Sequence, residues 1–184
     1  MITLGIDLGT SGVKLVLVDH AIVGRERVIG SASSPLTVQR PHPGWSEQDP
    51  ESWYDATLEC GDALRTSHPG AMAACSAIGL SGQMHGATLL DARSAALRPC
   101  ILWNDGRSEA ECAVFEASWP DSRRVTGNLA MPGFTAPKLL WVRRHEPDLF
   151  ARVAMVLLPK AYLRMRLCGE MIEDMSDASG TLWL

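Results

Sequence analysis

The stretch Thr3-Leu4-Gly5-Ile6-Asp7-Leu8-Gly9-Thr10-Ser11-Gly12-Val13-Lys14-Leu15-Val16-Leu17-Val18-Asp19 opens the chain and decides its fold. Thr3–Asp7 reads as a strand, Gly9–Gly12 as a turn and Val13–Asp19 as a second strand. Leu15 and Leu17 alternate with Val16 and Val18, so both faces of the second strand are apolar and expected to be covered. His20–Gly24 is a second turn, and Arg25–Ser33 a third strand. Three strands joined by short turns predict an antiparallel meander.

The residues downstream supply helices. Pro35–Asp49 is a loop broken by Pro41, Pro43 and Gly44. Asp49 is a good N-cap, Pro50 fits the first helical position and Glu51 suits the positive end of the dipole. Trp53, Thr57, Cys60, Ala63 and Leu64 then share one face of a helix that ends near Ser67, before Pro69-Gly70. Ala74–Leu80 reads as a buried strand, Ala87–Leu90 and Cys100–Trp103 as short strands, and Val153–Leu158 as another. Helices are expected over Ser108–Ser118, from a Thr135 cap to about His145, and over Ala161–Leu167. The fold class is α/β: a mixed sheet with the antiparallel three-strand meander followed by parallel strands, and helices on both faces.

Composition removes whole classes of function. Of 184 residues, 46% are apolar and 21% charged, and 17 basic against 21 acidic side chains leave a net charge of −4. A basic face for nucleic acid is not expected, nor is a disordered chain. Val153–Leu158 is the longest apolar stretch, far short of the roughly 18 residues of a membrane span. Asp7 interrupts the first apolar run, which does not read as a secretory signal. Five scattered cysteines without a C-x-x-C pair read as reduced thiols of a cytoplasmic protein. Five dispersed histidines offer no zinc signature. Trp53 and Trp141 fall on helix faces and read as packing, and Arg123-Arg124 and Arg143-Arg144 as solvated surface.

Two segments carry chemistry. Asp7–Lys14 matches neither a Walker loop nor a dinucleotide fingerprint. It is a Gly-bounded hairpin bend with a carboxylate at the end of its first strand. Such a bend can aim backbone N–H groups at an anion. Gly9, Thr10 and Ser11 would line it, Lys14 would add charge, and Asp7 could hold hydrated magnesium beside phosphate oxygens. A plain hairpin with glycine at positive φ explains the same residues. Met84 and His85 follow a strand, where ligands of open α/β sheets gather. A neutral imidazole suits a sugar hydroxyl and Met an apolar wall, but a core Met and a satisfied loop His fit equally. Trp103 could stack on a sugar and Asn104 and Asp105 orient hydroxyls, or Trp103 could be core and Asp105 a helix cap. Asp177 and Ser179 are either cleft residues or turn caps.

Gly5–Ser11 resembles the first phosphate loop of the sugar-kinase, actin and heat-shock ATPase superfamily. Three further segments are similar to the N-terminal half of the FGGY carbohydrate kinases: His42-Pro43-Gly44-Trp45-Ser46-Glu47-Gln48-Asp49-Pro50, Ile101-Leu102-Trp103-Asn104-Asp105-Gly106-Arg107, and Gly133-Phe134-Thr135-Ala136-Pro137-Lys138-Leu139-Leu140-Trp141. Ser81-Gly82-Gln83-Met84-His85-Gly86-Ala87-Thr88-Leu89-Leu90-Asp91 resembles the xylulose kinases, where glycerol kinases carry an Arg–Glu pair in place of Met–His.

The resemblance runs from residue 3 to residue 184. It implies a ribonuclease H-like (actin-like ATPase) fold and phosphoryl transfer from ATP to D-xylulose, giving D-xylulose 5-phosphate. It implies ATP phosphates at Gly9, Thr10, Ser11 and Lys14, magnesium held through water by Asp7, a catalytic function for Asp7, and sugar against Met84, His85, Trp103, Asn104 and Asp105. The Gly-rich loop that carries the family's catalytic base does not occur here. Residues 1–184 are therefore expected to be an N-terminal kinase lobe without its C-terminal partner lobe, inactive alone and prone to self-association as a homodimer. Nucleic acid and membrane are not expected partners. Two readings stay open beside it: a non-catalytic sugar-binding or interaction module, and a kinase for another ketopentose or polyol.

Overall fold

The computed structural model describes residues 1–22 and 24–183; Val23, inside the His20–Gly24 turn, and Leu184 lie outside the described residues. In chain order the elements are β1 (Ile2–Leu8), β2 (Gly12–Asp19), β3 (Arg27–Pro35), β4 (Glu47–Gln48), α1 (Pro50–Ser67), α2 (Pro69–Ala73), β5 (Cys75–Gly82), β6 (Thr88–Leu90) and β7 (Cys100–Ile101). Then follow α3 (Glu109–Ser118), α4 (Ser122–Thr126), α5 (Thr135–His145), α6 (Pro147–Phe150), β8 (Met155–Leu157), α7 (Pro159–Cys168), α8 (Met175–Ala178) and a 3-10 turn, Ser179–Thr181. The chain divides into two compact units.

The first unit comprises Met1–Thr37 and Glu51–Gln83. Its sheet has the order β3-β2-β1-β5. The first three strands form the expected antiparallel meander, and β5 runs parallel to β1. A parallel neighbour requires a long crossover, and α1 supplies it. Leu4, Ile6 and Leu8 of β1 and Val13, Leu15 and Leu17 of β2 are buried. Trp53, Ala56, Thr57, Cys60 and Leu64 are the buried stripe of α1, with Cys60 Sγ directed at the Val13 carbonyl. Each buried aliphatic side chain contributes roughly 1.5–3 kcal/mol.

Three expectations change in this unit. Ala63 is exposed, and Ala56, about two turns earlier, is the buried alanine of the stripe instead. Val16 and Val18 are only half-buried, so β2 has one fully covered face and not two. β5 is largely exposed, with Ile78 60% accessible. It is an edge strand of the sheet, paired among the described residues with β1 alone, and an apolar composition cannot reveal an edge position.

The second unit comprises Val38–Pro50 and Met84–Leu184. Two small antiparallel pairs, β4–β7 and β6–β8, lie beside the helices. Ala87, Leu89, Ile101, Trp141 and Val142 form one buried cluster of this unit, and Ala130, Phe134, Ala136 and Leu182 another. Gly169 ends α7 in the left-handed conformation at φ 81°, as glycine after a helix commonly does. Thr135 is not the cap of α5: Phe134 holds that position, and the Thr135 hydroxyl donates to the His85 carbonyl. The expected strand over Cys100–Trp103 stops at Ile101. Elements as short as β4, α2, α4 and α6 escape sequence reading because two to five residues show no period.

Candidate functional site

The first set of candidate residues lies on the β1–β2 hairpin. Gly9 N–H donates to the Gly12 carbonyl at 3.0 Å and closes the bend. No residue from Asp7 to Lys14 has positive φ, so the alternation of right- and left-handed residues that makes an anion nest is absent. Glycine is needed at position 12 for a different reason: a Cβ there would stand 2.9 Å from the Ser34 carbonyl of β3. The Thr10 hydroxyl donates to Gln83 Oε1 at 3.1 Å, tying the bend to the end of β5.

Asp7 and Lys14 are both exposed and stand directly opposite each other in the β1–β2 register, with Ser81 opposite Asp7 on β5. Gly5, Asp7, Lys14, Val16, Gly79 and Ser81 line an open hollow of about 530 Å³. Gly5 and Gly79 are register partners, so its floor is bare backbone. The hollow thus has one anionic and one cationic side chain beside a glycine floor midway along β1 and β5, with Asp7 and Ser81 toward their carboxyl ends. Among the described residues no three His, Cys, Asp or Glu side chains gather as a metal cage. The donor set fits magnesium, which takes one or two carboxylates and completes its shell with water and phosphate oxygens.

The second set lies in the other unit. Met84 is 52% exposed. His85 has φ +60°, a left-handed conformation that is uncommon for a residue with a Cβ. Its carbonyl accepts from Thr135 Oγ1 at 3.1 Å and Lys138 Nζ at 3.0 Å, and its ring meets Phe134 edge-on. The ring lies against Gly180, where a Cβ would come within 2.1 Å of it. Burial pushes the imidazole pKa down and the Lys138 ammonium adds to this, against an upward pull from Asp177 and the Gly180 backbone. His85 is therefore neutral at pH 7 and offers one donor and one acceptor.

Trp103 is 44% exposed and Asn104 is exposed. Asp105 is buried and fully engaged. Its carboxylate accepts from Ser46 N–H at 2.5 Å and from the Arg107 backbone and guanidinium at 2.7–2.9 Å. Arg107 also pairs with Glu47 at 2.7 Å, and Glu47 with Arg98, which reaches Glu146 at 2.5 Å. The Arg107 guanidinium lies over the rings of Trp45 and Trp141. This buried network joins the segment at 42–50 to the segment at 101–107 and fixes the loop that displays Trp103 and Asn104.

The sequence profile of the N-terminal domain of the FGGY family of carbohydrate kinases matches residues 2–184. The chain belongs to this family. This FGGY chain is 57% identical over 181 residues to the xylulose kinase of Escherichia coli strain K12, an alignment covering 98% of it and 36% of that relative. The crystal structure of a xylulose kinase from Brucella ovis superposes with a TM-score of 0.95 at 58% identity, over 100% of this chain and 38% of the other. A gluconate kinase from Lactobacillus acidophilus superposes with a TM-score of 0.88 at 27% identity, over 98% and 36%. The FGGY chain thus spans about 36% of the length of the curated relatives it matches. Its mixed sheet is the ribonuclease H-like, actin-like ATPase arrangement expected from the sequence. Among the described residues no helix is long and apolar enough to cross a membrane.

Several residues gain a definite place that their sequence did not assign. Asp174, and not Asp177, is the cap of α8, accepting from the Asp177 N–H at 3.0 Å. Asp177 faces Lys160 at 3.2 Å, together with Glu173 and Asp174. The exposed Ser179 hydroxyl donates to the Ser176 carbonyl. Lys138 is completely buried, although the sequence shows it only as one residue of the Gly133–Trp141 motif. The sequence signal for it is a lysine between Pro137 and Leu139-Leu140-Trp141.

Proposed function

We propose that this chain forms the sugar-recognition and metal-side phosphate part of an ATP-dependent D-xylulose kinase. The observation that carries the reading is His85: a neutral imidazole, held in a left-handed backbone conformation and seated on Gly180, directly after an exposed Met84. A neutral imidazole serves a sugar hydroxyl as donor and acceptor, while Met and Trp103 give apolar walls to the carbon face. Asn104 would bind a hydroxyl directly, and Asp105 would serve through the loop it fixes. The identity to a xylulose kinase over 98% of this chain supports the ketopentose.

The hairpin serves the nucleotide. Gly9, Thr10 and Ser11 would receive phosphate oxygens of ATP, and Lys14 would offset their charge. Asp7 would hold magnesium through water, and magnesium when bound neutralises charge on the transferred phosphoryl group. Phosphoryl transfer also needs a base for the sugar hydroxyl proton. That group belongs to the part of the relatives' length that this chain does not span, with the partner lobe. Five free thiols accord with a cytoplasmic setting.

Calorimetric titration of the chain with D-xylulose, glycerol and D-gluconate tests the reading. Saturable binding of D-xylulose that His85→Ala abolishes is expected. A preference for gluconate or glycerol would overturn the ketopentose assignment. Turnover of ATP with xylulose by the pure chain would overturn the need for a second lobe.

A further inference from the structure

Lys138 has no exposed surface, and its ammonium makes no ion pair among the described residues. Its two hydrogen-bond partners are backbone carbonyls, His85 at 3.0 Å and Gly133 at 2.5 Å. A buried ammonium without a counter-ion is a costly way to satisfy two carbonyls. Stability alone does not account for it; what those carbonyls carry does. His85 bears the imidazole of the sugar site. Gly133 abuts the Trp103 carbonyl so closely that a Cβ would stand 2.8 Å from it, and the next residue, Phe134, meets the His85 ring.

We propose that Lys138 is a positioning residue for sugar recognition: its ammonium binds the 85 and 133 loops to each other and so fixes the His85 ring relative to Trp103 and Phe134. The inference rests on the sugar site proposed above. Thr135 Oγ1 shares the His85 carbonyl and reinforces the same clamp from the first turn of α5. The strained φ of His85 is what the clamp maintains, since a left-handed histidine relaxes once its carbonyl is released. The charged and titratable groups around Lys138 are Cys100, Asp105, Arg107 and His85, and Asp177 faces His85 from α8.

The test uses Lys138→Met in the whole 184-residue chain, with Thr135→Ala as a milder companion that keeps the ammonium. Three readouts are the thermal midpoint, the NMR titration of the His85 ring, and D-xylulose affinity by calorimetry. Lys138→Met is expected to stay folded, to move the His85 titration to higher pH and to weaken D-xylulose binding tenfold or more. Thr135→Ala should weaken it severalfold. Unchanged His85 resonances and unchanged affinity in Lys138→Met overturn the proposal. If Lys138→Met does not fold, an unchanged affinity and ring titration in Thr135→Ala overturn it instead. If the parent chain binds no D-xylulose while the His85 titration still moves, the sugar reading falls and the clamp stands.

Discussion

The Arg107 guanidinium lies over the Trp45 ring, 3.7 Å from its centroid. Its two carboxylate partners, Asp105 and Glu47, have almost no exposed surface. Removing the cation would leave Asp105 buried without a cationic partner and Glu47 with Arg98 alone, and breaking a buried pair in this way typically costs about 3–5 kcal/mol. Arg107→Met is therefore expected to lower unfolding free energy by about 3–5 kcal/mol, read by urea denaturation. Arg107→Lys should recover only part of it, because a point charge cannot reproduce a planar fork that also stacks on an indole.

Gly180→Ala puts a methyl group where the His85 ring now lies, at 2.1 Å. The imidazole must move. Overpacking of this kind costs about 1–3 kcal/mol, so the chain should still fold. D-xylulose affinity should fall at least as far as in His85→Ala, while nucleotide-dependent changes at the hairpin remain. Equal sugar affinity in Gly180→Ala and the parent chain would argue that the His85 ring makes no contact with substrate.

Lys138 titrates far below a free lysine. Burial brings its pKa down to about 8, against upward pulls from Cys100 and Asp105. The folded pKa lies below the unfolded value near 10.5, so between pH 8 and 10.5 the unfolded chain binds more protons and stability rises with pH. Cys100 acts oppositely: burial pushes its thiol up to about 12, which lowers stability above pH 9. The clean measurement is the difference between the parent chain and Lys138→Met. That difference should shift in favour of the parent chain from pH 8 to pH 10 and stay flat below pH 7.

Asp7 is exposed and supports no core. Asp7→Ala should change stability by no more than about 0.5 kcal/mol, as surface substitutions do. Magnesium-dependent ATP binding should be lost. Gly12→Ala should do the reverse in part: its methyl group meets the rigid Ser34 carbonyl at 2.9 Å and destabilises the hairpin itself. Thermal melts with and without magnesium-ATP separate the two effects.

The strands of the meander and the start of α1 were legible because their signals are local. A glycine bend between apolar runs, and Asp-Pro-Glu before a stripe that opens with Trp53, need no distant partner to be read. The exposure of β5 was not legible, because whether an apolar strand is central or at an edge depends on which strands lie beside it. Asp105 reads from the sequence as a sugar ligand or a helix cap; in the structure its carboxylate accepts from Ser46 N–H and from the Arg107 guanidinium. Its partners Ser46 and Glu47's companion Arg107 meet only because β4 pairs with β7 across more than fifty residues of chain.

The amino-acid order by itself determined the hairpin with Asp7 at its rim, the apolar stripes and the segments that identify an FGGY kinase chain. Those features follow from periodicity and from residue types at close spacing. Only the tertiary structure decided that Asp105 pairs with Arg107, that His85 adopts a left-handed backbone on a glycine bed, and that a lysine with no carboxylate partner among the described residues donates to the carbonyls of two loops. Each of these depends on where a distant backbone atom comes to rest, and a carbonyl's position in space is set by packing, not by the identity of the residue that carries it.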